Sequence, residues 1–326
     1  MGWLFVDWLG TPLWLWLSFL GIVALMLAID LGVVHRKSKE IGVKESLLTS
    51  AVYILLGVAF GGWIWWHMGA TAGINYLTGF VVEKSLAMDN VFVIAMIFTY
   101  FSVPRIYQHR VLFWGILGVI VLRAIMIGVG AALVERFSWV LYVFAAFLIL
   151  TGVKMWLSAD KEYDVAANPV LKFVRRHFRV TDTLHGEHFW IKQTDPRTGK
   201  AGWYMTPLML ALLMVEIVDV VFAVDSVPAI FAITTDPFIV YTSNIFAILG
   251  LRALYFALAA MVDRFHYLKY ALAVLLVFIG SKIFVADALG LAKIPPVASL
   301  SVTFAILAAG IGWSLWKTRE RPGVAA

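Results

Sequence analysis

The chain alternates between long apolar runs and short polar segments. Each apolar run comes close to or exceeds the length of about 20 residues that an α-helix needs to cross the hydrocarbon core of a bilayer. The pattern therefore predicts an all-α polytopic membrane protein with nine membrane-spanning helices. Their predicted ranges are 12–34, 47–66, 74–100, 111–132, 138–157, 204–233, 241–262, 267–289 and 297–316.

Basic residues are distributed unevenly between the two sides of these predicted spans. Most of them lie in segments on one side of the membrane, and the other side carries only Arg136 and Lys293. The positive-inside rule therefore places the N-terminus outside the cytoplasm and the C-terminus inside it. We expect a multi-pass protein of a bacterial-type inner (plasma) membrane. The basic segments are 35–46, 101–110, 158–203, 263–269 and the C-terminal tail.

The composition agrees with life in lipid. Hydrophobic residues make up 62% of the chain and charged residues 14%, and the mean hydropathy is +0.89. A soluble domain would have roughly 25% charged residues, so we predict one transmembrane transporter domain over 1–326, with 158–203 as a cytoplasmic loop. Membrane topology accounts for the basic loops, and no nucleic-acid partner is expected. The absence of cysteine excludes thiol catalysis and thiolate metal sites.

An internal repeat relates the third to fifth predicted helices (about 74–157) to the sixth to eighth (about 204–289). Glu83 and Asp89 match Asp219 and Asp225 at the same spacing. Because the two units are three helices apart, they would have opposite orientations in the membrane, which is typical of transporters. Further matched pairs are Asn90 with Ser226, Arg123 with Arg252, Gly152 with Gly280 and Lys154 with Lys282.

Six carboxylates fall within the predicted spans, where a charge costs several kcal/mol unless it is paired or hydrated. They are Asp30, Glu83, Asp89, Glu216, Asp219 and Asp225. Two carboxylates six residues apart lie about 120° apart on a regular helix. One shared site would therefore be easier to build if the helices were interrupted, as Pro228 suggests for the sixth span.

The side chains in these motifs are hard oxygen donors. Carboxylates, the Asn90 amide and the Ser226 hydroxyl suit Mg²⁺, Ca²⁺ or Mn²⁺ better than zinc or copper, which usually recruit His or Cys. The alternative is that the acids pair with Arg123 and Arg252 simply to hold helices together, and for Asp30 neither interpretation is favoured. The arginines themselves are expected to be counter-ions or gate elements, since a guanidinium only donates.

Two segments carry a family resemblance. They are Glu83-Lys-Ser-Leu-Ala-Met-Asp89-Asn90-Val and Glu216-Ile-Val-Asp219 followed by Val-Asp225-Ser226-Val-Pro228. Together with Thr151-Gly-Val-Lys154, Thr234-Thr-Asp-Pro237 and Thr242-Ser-Asn244, they resemble the TerC family, in particular its Alx-like branch within the LysE superfamily. The resemblance implies a membrane transporter that exports Mn²⁺. It also implies metal contacts by Glu83, Asp89, Glu216, Asp219 and Asp225, with Asn90 and Ser226 adjacent.

The leading hypothesis is therefore export of Mn²⁺, or another hard divalent cation, through a site between the repeats, with protons as a candidate coupling ion. No permanently bound cofactor and no enzymatic activity are expected. An intramembrane aspartyl protease is disfavoured because neither Asp89 nor Asp225 follows a Gly-x-Gly element. A further alternative is a non-transporting scaffold or stress sensor that acts through the loop 158–203. Transport direction, coupling ion and oligomeric state stay open.

Overall fold

A computed structural model describes residues 5–29, 42–158, 164–194, 201–258, 267–290 and 294–319. Asp30 lies outside these residues. The described part is mostly helical, with two short β-hairpins. The helices are α1 (Leu13–Ile29), α2 (Val43–Met68), α3 (Ala70–Tyr100), α4 (Arg105–Arg136), α5 (Val140–Leu157), α6 (Pro169–His177), α7 (Pro207–Phe231), α8 (Pro237–Leu249), α9 (Leu251–Leu258), α10 (Leu268–Ala288) and α11 (Pro296–Arg319). The strands are β1 (Asp7–Trp8), β2 (Thr11–Pro12), β3 (Trp190–Thr194) and β4 (Ala201–Met205).

Within the described residues, six helices are long and apolar enough to cross a membrane, namely α2, α4, α5, α7, α10 and α11. The bent pair α8 and α9 makes a seventh if it counts as one span. The prediction of nine spans is therefore confirmed only in part. Helix α1 has 17 residues, and α3, although 31 residues long, carries Glu83, Lys84 and Asp89 in its middle.

The helices pack around α3, which contacts α2, α7, α8 and α11. Helix α4 packs mainly on α7, and α5 packs along α10. Large apolar side chains between these helices are fully buried, whereas many others face outward, as expected of a bundle surrounded by lipid. The core thus encloses the middle of α3 and α7, where the carboxylates lie.

The contact between α5 and α10 is reciprocal. A Cβ added to Gly152 would meet the backbone oxygen of Ala273 at 2.7 Å, and a Cβ added to Gly280 would meet the backbone oxygen of Ala145 at 2.5 Å. Both pairs, Ala145 with Ala273 and Gly152 with Gly280, are 128 positions apart in the sequence. Since the earlier residue of one helix faces the later residue of the other, the two helices cross antiparallel. Small residues allow this close approach.

The predicted loop 158–203 contains structure of its own. Helix α6 is followed by an antiparallel hairpin in which Trp190 pairs with Met205 and Thr194 with Ala201. An ion pair of 2.6 Å between Arg110 and Glu187 joins this segment to the start of α4. The segment is therefore a small folded module, while residues 159–163 and 195–200 lie outside the described part.

Candidate functional site

Arg123, near the middle of α4, is 1% exposed and lies between two carboxylates. Its guanidinium donates to Oε1 of Glu83 in α3. It also donates to both carboxylate oxygens of Asp219 in α7, at 3.2 and 3.4 Å. A planar guanidinium with five donors is the side chain best suited to join two carboxylates in a dry interior. One buried cation therefore links the third and seventh helices.

Two neutral side chains complete this network. Arg123 Nη1 lies 2.9 Å from Oγ of Ser226 and 3.1 Å from Oδ1 of Asn244 in α8. The Asn244 amide nitrogen in turn donates to Oε2 of Glu83 at 3.1 Å. Four helices thus meet at one hydrogen-bonded cluster, as buried charges require. The prediction that Arg123 is a counter-ion is confirmed for Glu83 and Asp219.

Asp89 and Asp225 occupy a different place, beside this network. Together with Glu83, Asn90, Ser226 and Arg123, they line a cavity of about 40 Å³ between α3, α4, α5, α7 and α10. This is enough space for water, which needs roughly 10–15 Å³. Neither carboxylate forms an ion pair with a described residue, although the positive charges of Lys269 and Lys154 act on Asp89 and Asp225 respectively, and Thr151 is close to the Asp225 carboxylate. The cavity therefore has two carboxylates that form no ion pair with the part of the chain that the structure describes.

Asn90 connects this cavity to a second one. It also lines a smaller cavity of about 20 Å³, together with Asp219 and Arg252. Asn90 is 4% exposed, and its side-chain oxygen has no hydrogen-bond partner in the described structure. A buried amide oxygen without a donor is costly, so this oxygen is available as a ligand for a cation or water in the cavities.

Glu216 is the one predicted ligand that the structure does not bring to either cavity. Its carboxylate lies against Gly118 of α4, and Oε2 has no hydrogen-bond partner among the described residues. One turn separates it from Asp219 on α7, so it lies close to the network along the helix but is directed at the α4 backbone. Among the described residues, no three His, Asp or Glu side chains form a cluster with metal-binding geometry.

The predicted helix interruptions are wrong. Helix α7 continues through Pro228, and α3 is unbroken from Ala70 to Tyr100. The two carboxylates of each helix instead have different partners, since Glu83 and Asp219 accept hydrogen bonds from Arg123, whereas Asp89 and Asp225 line the larger cavity without an ion pair to a described residue. The bend is in the next helix, where α8 and α9 meet at 41° beside Gly250.

Lys84 stabilises this bend. A helix end leaves its last carbonyl groups without intrahelical partners, and the 8% exposed Lys84 donates from Nζ to the carbonyl oxygen of Ala247 at 2.9 Å. A cation at a helix C-terminus is also favourable with respect to the helix dipole. The residue next to Glu83 therefore holds the end of α8, the helix that supplies Asn244.

Local sequence signals fix the helices that carry the site. Thr206 caps α7 by accepting from the Met209 amide, and Pro207 occupies the first helical turn. Asp236 caps α8 by accepting from the Phe238 and Ile239 amides, again just before a proline. Such residues are strongly preferred at helix starts, and they set where Asp219, Asp225 and Asn244 face the core.

A model of the TerC family of integral membrane proteins matches residues 68–322 of the chain. The chain belongs to the TerC family. The matched region begins at the end of α2 and contains all the predicted site residues, as well as Arg123, Asn244 and Arg252.

Relatives that match over most of their length are also named as membrane or membrane-bound proteins. The chain is 50% identical over 307 residues to "Putative membrane-bound redox modulator Alx" of Escherichia coli strain K12, covering 91% of this chain and 92% of that protein. It is 47% identical over 313 residues to "Uncharacterized membrane protein STKORF319" of Myxococcus xanthus, covering 96% and 95%. A membrane protein of Rickettsia bellii is 47% identical over 296 residues, covering 91% and 95%. No solved structure matches the chain.

Two site residues were not predicted. Asn244 and Thr151 lie in segments that the sequence singles out as family-like, but neither was assigned to the site. The available signal was a polar side chain inside an apolar run, which in a membrane interior has to find a polar partner. The packing of α3 against α8 and of α5 against α7 decides that these polar neighbours are Glu83 and Asp225, and one sequence does not supply that packing.

Proposed function

We propose that the chain is a transporter that moves a hard divalent cation, Mn²⁺ in particular, out of the cytoplasm. The observation that carries this proposal is the cavity lined by Asp89 and Asp225. Two carboxylates without ion pairs among the described residues provide the two negative charges that a divalent cation neutralises. Because an uncompensated charge inside a membrane costs several kcal/mol, the two acids have to be protonated or neutralised by a cation, and we take the cavity to receive such a cation.

The donor set suits such an ion. Asp89, Asp225, the free Asn90 oxygen and the Ser226 hydroxyl are all oxygen ligands, and the cavity has space for water to complete the coordination shell. Oxygen donors in this number are typical of Mg²⁺, Ca²⁺ and Mn²⁺ sites. The choice of Mn²⁺ among these ions rests on the resemblance to the Alx-like branch.

The Glu83–Arg123–Asp219 cluster would act as an internal counter-charge beside the ion. Arg123 cannot bind a cation, but it limits the negative charge of the site and holds Ser226 at 2.9 Å. An ion arriving at Asp89 and Asp225 would compete with Arg123 for Ser226 and, through it, disturb the bonds to Glu83 and Asp219. This arrangement gives the ion a means to alter the packing of α3 against α7.

Inverted repeats would supply the transport cycle. The reciprocal pairs Gly152 with Ala273 and Gly280 with Ala145 support a two-fold axis perpendicular to α5 and α10, because a parallel repeat would bring Ala145 to Ala273 instead. The packing of α3 on α8 and of α4 on α7 is also exchanged by this relation. Repeats of this kind carry out alternating access around a central site. The proposed orientation has the basic segments in the cytoplasm.

The proposal is tested by manganese content in cells that express the chain. Expression should lower cell-associated manganese, whereas Asp89→Asn and Asp225→Asn should abolish this effect because each removes one site charge with little change of shape. Glu135→Gln is the matched control, since Glu135 is exposed at the end of α4 outside the cavity. Equal lowering of manganese by wild type and both aspartate variants would contradict the proposed site.

The name of the Escherichia coli relative motivates one alternative, a role in redox modulation without transport. Because this chain has no cysteine, such a role would not use thiols of its own and would act through a partner. The folded module between α5 and α7 is the candidate contact surface. In that case removal of the module should abolish function, and the aspartate variants should keep it.

A further inference from the structure

A third cavity of about 480 Å³ opens at one end of the bundle. Its lining comes from the start of α3, the start of α5, the end of α7, the end of α10 and the start of α11. These are the helix ends opposite the basic segments. Polar side chains in its lining include Asn75, Thr78, Ser138, Thr235 and Asp287, and also Lys282, which donates to Ser299 at 3.4 Å. Since one water takes up about 30 Å³ in the liquid, the cavity can hold a hydrated cation and further water.

The cavity of about 480 Å³, called the large cavity, and the cavity of about 40 Å³ lined by Asp89 and Asp225, called the aspartate cavity, follow each other along the same helix faces. On α3, Thr78 lines the large cavity and Leu86 the aspartate cavity, eight residues apart. On α10, Lys282 lines the large cavity and Leu276 the aspartate cavity. Residues three to four apart share a helix face, so one further residue on each helix separates the two cavities.

These separating residues form an apolar layer. They are Val82, Leu148, Ala229 and Ile279, all at most 1% exposed and all members of one packed cluster. They come from α3, α5, α7 and α10, which are four of the five helices that line the aspartate cavity, and the fifth, α4, contributes Arg123 to the cavity but no residue to the layer. On α5 the stripe is regular, since Leu141 lines the large cavity, Leu148 lies in the layer and Met155 lines the aspartate cavity.

We infer that the 480 Å³ cavity is the extracytoplasmic vestibule of the ion path, and that the layer of Val82, Leu148, Ala229 and Ile279 is the gate that closes it from Asp89 and Asp225. The inference rests on the proposed function for the identity of the ion. An apolar constriction stops ions because it provides no ligand to replace their water. Rotation of one repeat against the other would separate the layer, since Val82 and Leu148 belong to one repeat and Ala229 and Ile279 to the other.

The absence of cysteine from the chain allows a direct test of access. Single cysteines are introduced in the full-length protein and exposed to a membrane-impermeant thiol reagent on the extracytoplasmic side of intact cells. Thr235→Cys, at the exposed lining of the vestibule, should be labelled. Leu276→Cys, in the aspartate cavity and 1% exposed, should be protected.

A second substitution, introduced into the Leu276→Cys protein, is then used to open the gate. Leu276→Cys with Ile279→Ser should lose its protection, because a small polar side chain replaces one quarter of the apolar layer. Leu276→Cys with Leu272→Ser is the matched control, since Leu272 is equally buried in the same cluster on α10 but lies beyond the cavity, and its cysteine should stay protected. Labelling of Thr235→Cys in each serine background checks that the protein is folded.

The inference is overturned if Thr235→Cys is protected, if Leu276→Cys is labelled as fast as Thr235→Cys without any gate substitution, or if the two serine substitutions have the same effect. Leu148→Ser provides a second opening from another helix should Ile279→Ser not fold, and it should also remove protection. No manganese is used in this experiment. A failure of the gate is therefore separable from a failure of the proposed transport, which is measured with the aspartate variants.

Discussion

Replacement of Arg123 by methionine should strongly destabilise the protein. Methionine has a similar length but no charge, so Glu83 and Asp219 would remain buried without their shared cation. Removal of one partner of a buried ion pair costs about 3–5 kcal/mol. Here one side chain serves two carboxylates and also donates to Ser226 and Asn244, so the loss should lie at the upper end of that range, about 5 kcal/mol.

The destabilisation should be partly reversed when the carboxylates are neutralised as well. In Arg123→Met with Glu83→Gln and Asp219→Asn, no charge of this cluster is left without a partner, and we expect recovery of about 2 kcal/mol through this coupling. Unfolding is followed in detergent micelles titrated with SDS, with tryptophan fluorescence as the signal. Arg136→Met, at the exposed end of the same helix, is the control and should change the unfolding free energy little.

The reasoning is refuted by either of two results. One is an unfolding free energy for Arg123→Met equal to that of Arg136→Met. The other is a triple variant that is less stable than Arg123→Met by the sum of the separate effects of Glu83→Gln and Asp219→Asn. Such additivity would mean that the three side chains do not interact.

Three further predictions concern packing and capping. Gly118→Ala should weaken the packing of α4 against α7 because the new Cβ meets the Glu216 carboxylate. Gly128→Ala on the same helix has open space around it and should be neutral or stabilising by up to about 1 kcal/mol. Equal SDS unfolding midpoints for the two variants would contradict the position of Glu216. Gly152→Ala and Gly280→Ala should each lower the midpoint because a backbone oxygen blocks the new methyl group, and Gly312→Ala, with nothing near it, is the control whose midpoint should not change. Asn168→Ala should remove the two hydrogen bonds that cap α6 and cost about 1 kcal/mol locally, seen as faster amide hydrogen exchange in α6; unchanged exchange there would argue against the cap.

The sequence predicts the helical segments well because length and hydropathy determine them in lipid. All nine apolar runs overlap helices of the structure. Helices α1 and α3, however, are not among those that are both long and apolar enough to cross a membrane. The reason is particular to α3, since Glu83, Lys84 and Asp89 interrupt its apolar character for the sake of the site. The sequence also predicts a single helix for the run 241–262, whereas the structure has a bend at Gly250. Gly250 alone does not indicate this bend, because the side chain that stabilises it, Lys84, comes from another helix.

The candidate site was predicted as a set of residues but not as an arrangement. Helical spacing correctly indicates that Glu83 and Asp89 point in different directions. It does not reveal that one faces an arginine and the other a cavity, because this depends on how α4 and α10 are placed around α3. Glu216 illustrates the same limit, since its neighbour Gly118 is determined by tertiary packing. Whether these residues bind metal stays a prediction of the resemblance and the chemistry of the donors.

Manganese flux in proteoliposomes is the measurement that tests the central claim most directly. The purified protein is reconstituted with a manganese-sensitive dye inside the vesicles, and dye quenching is followed for wild type, Asp89→Asn, Asp225→Asn and Glu135→Gln. The account predicts saturable entry of Mn²⁺ for wild type and Glu135→Gln, and flux no higher than in empty vesicles for both aspartate variants. Flux through the aspartate variants at the wild-type rate, or no flux above empty vesicles for correctly folded wild type, would contradict it.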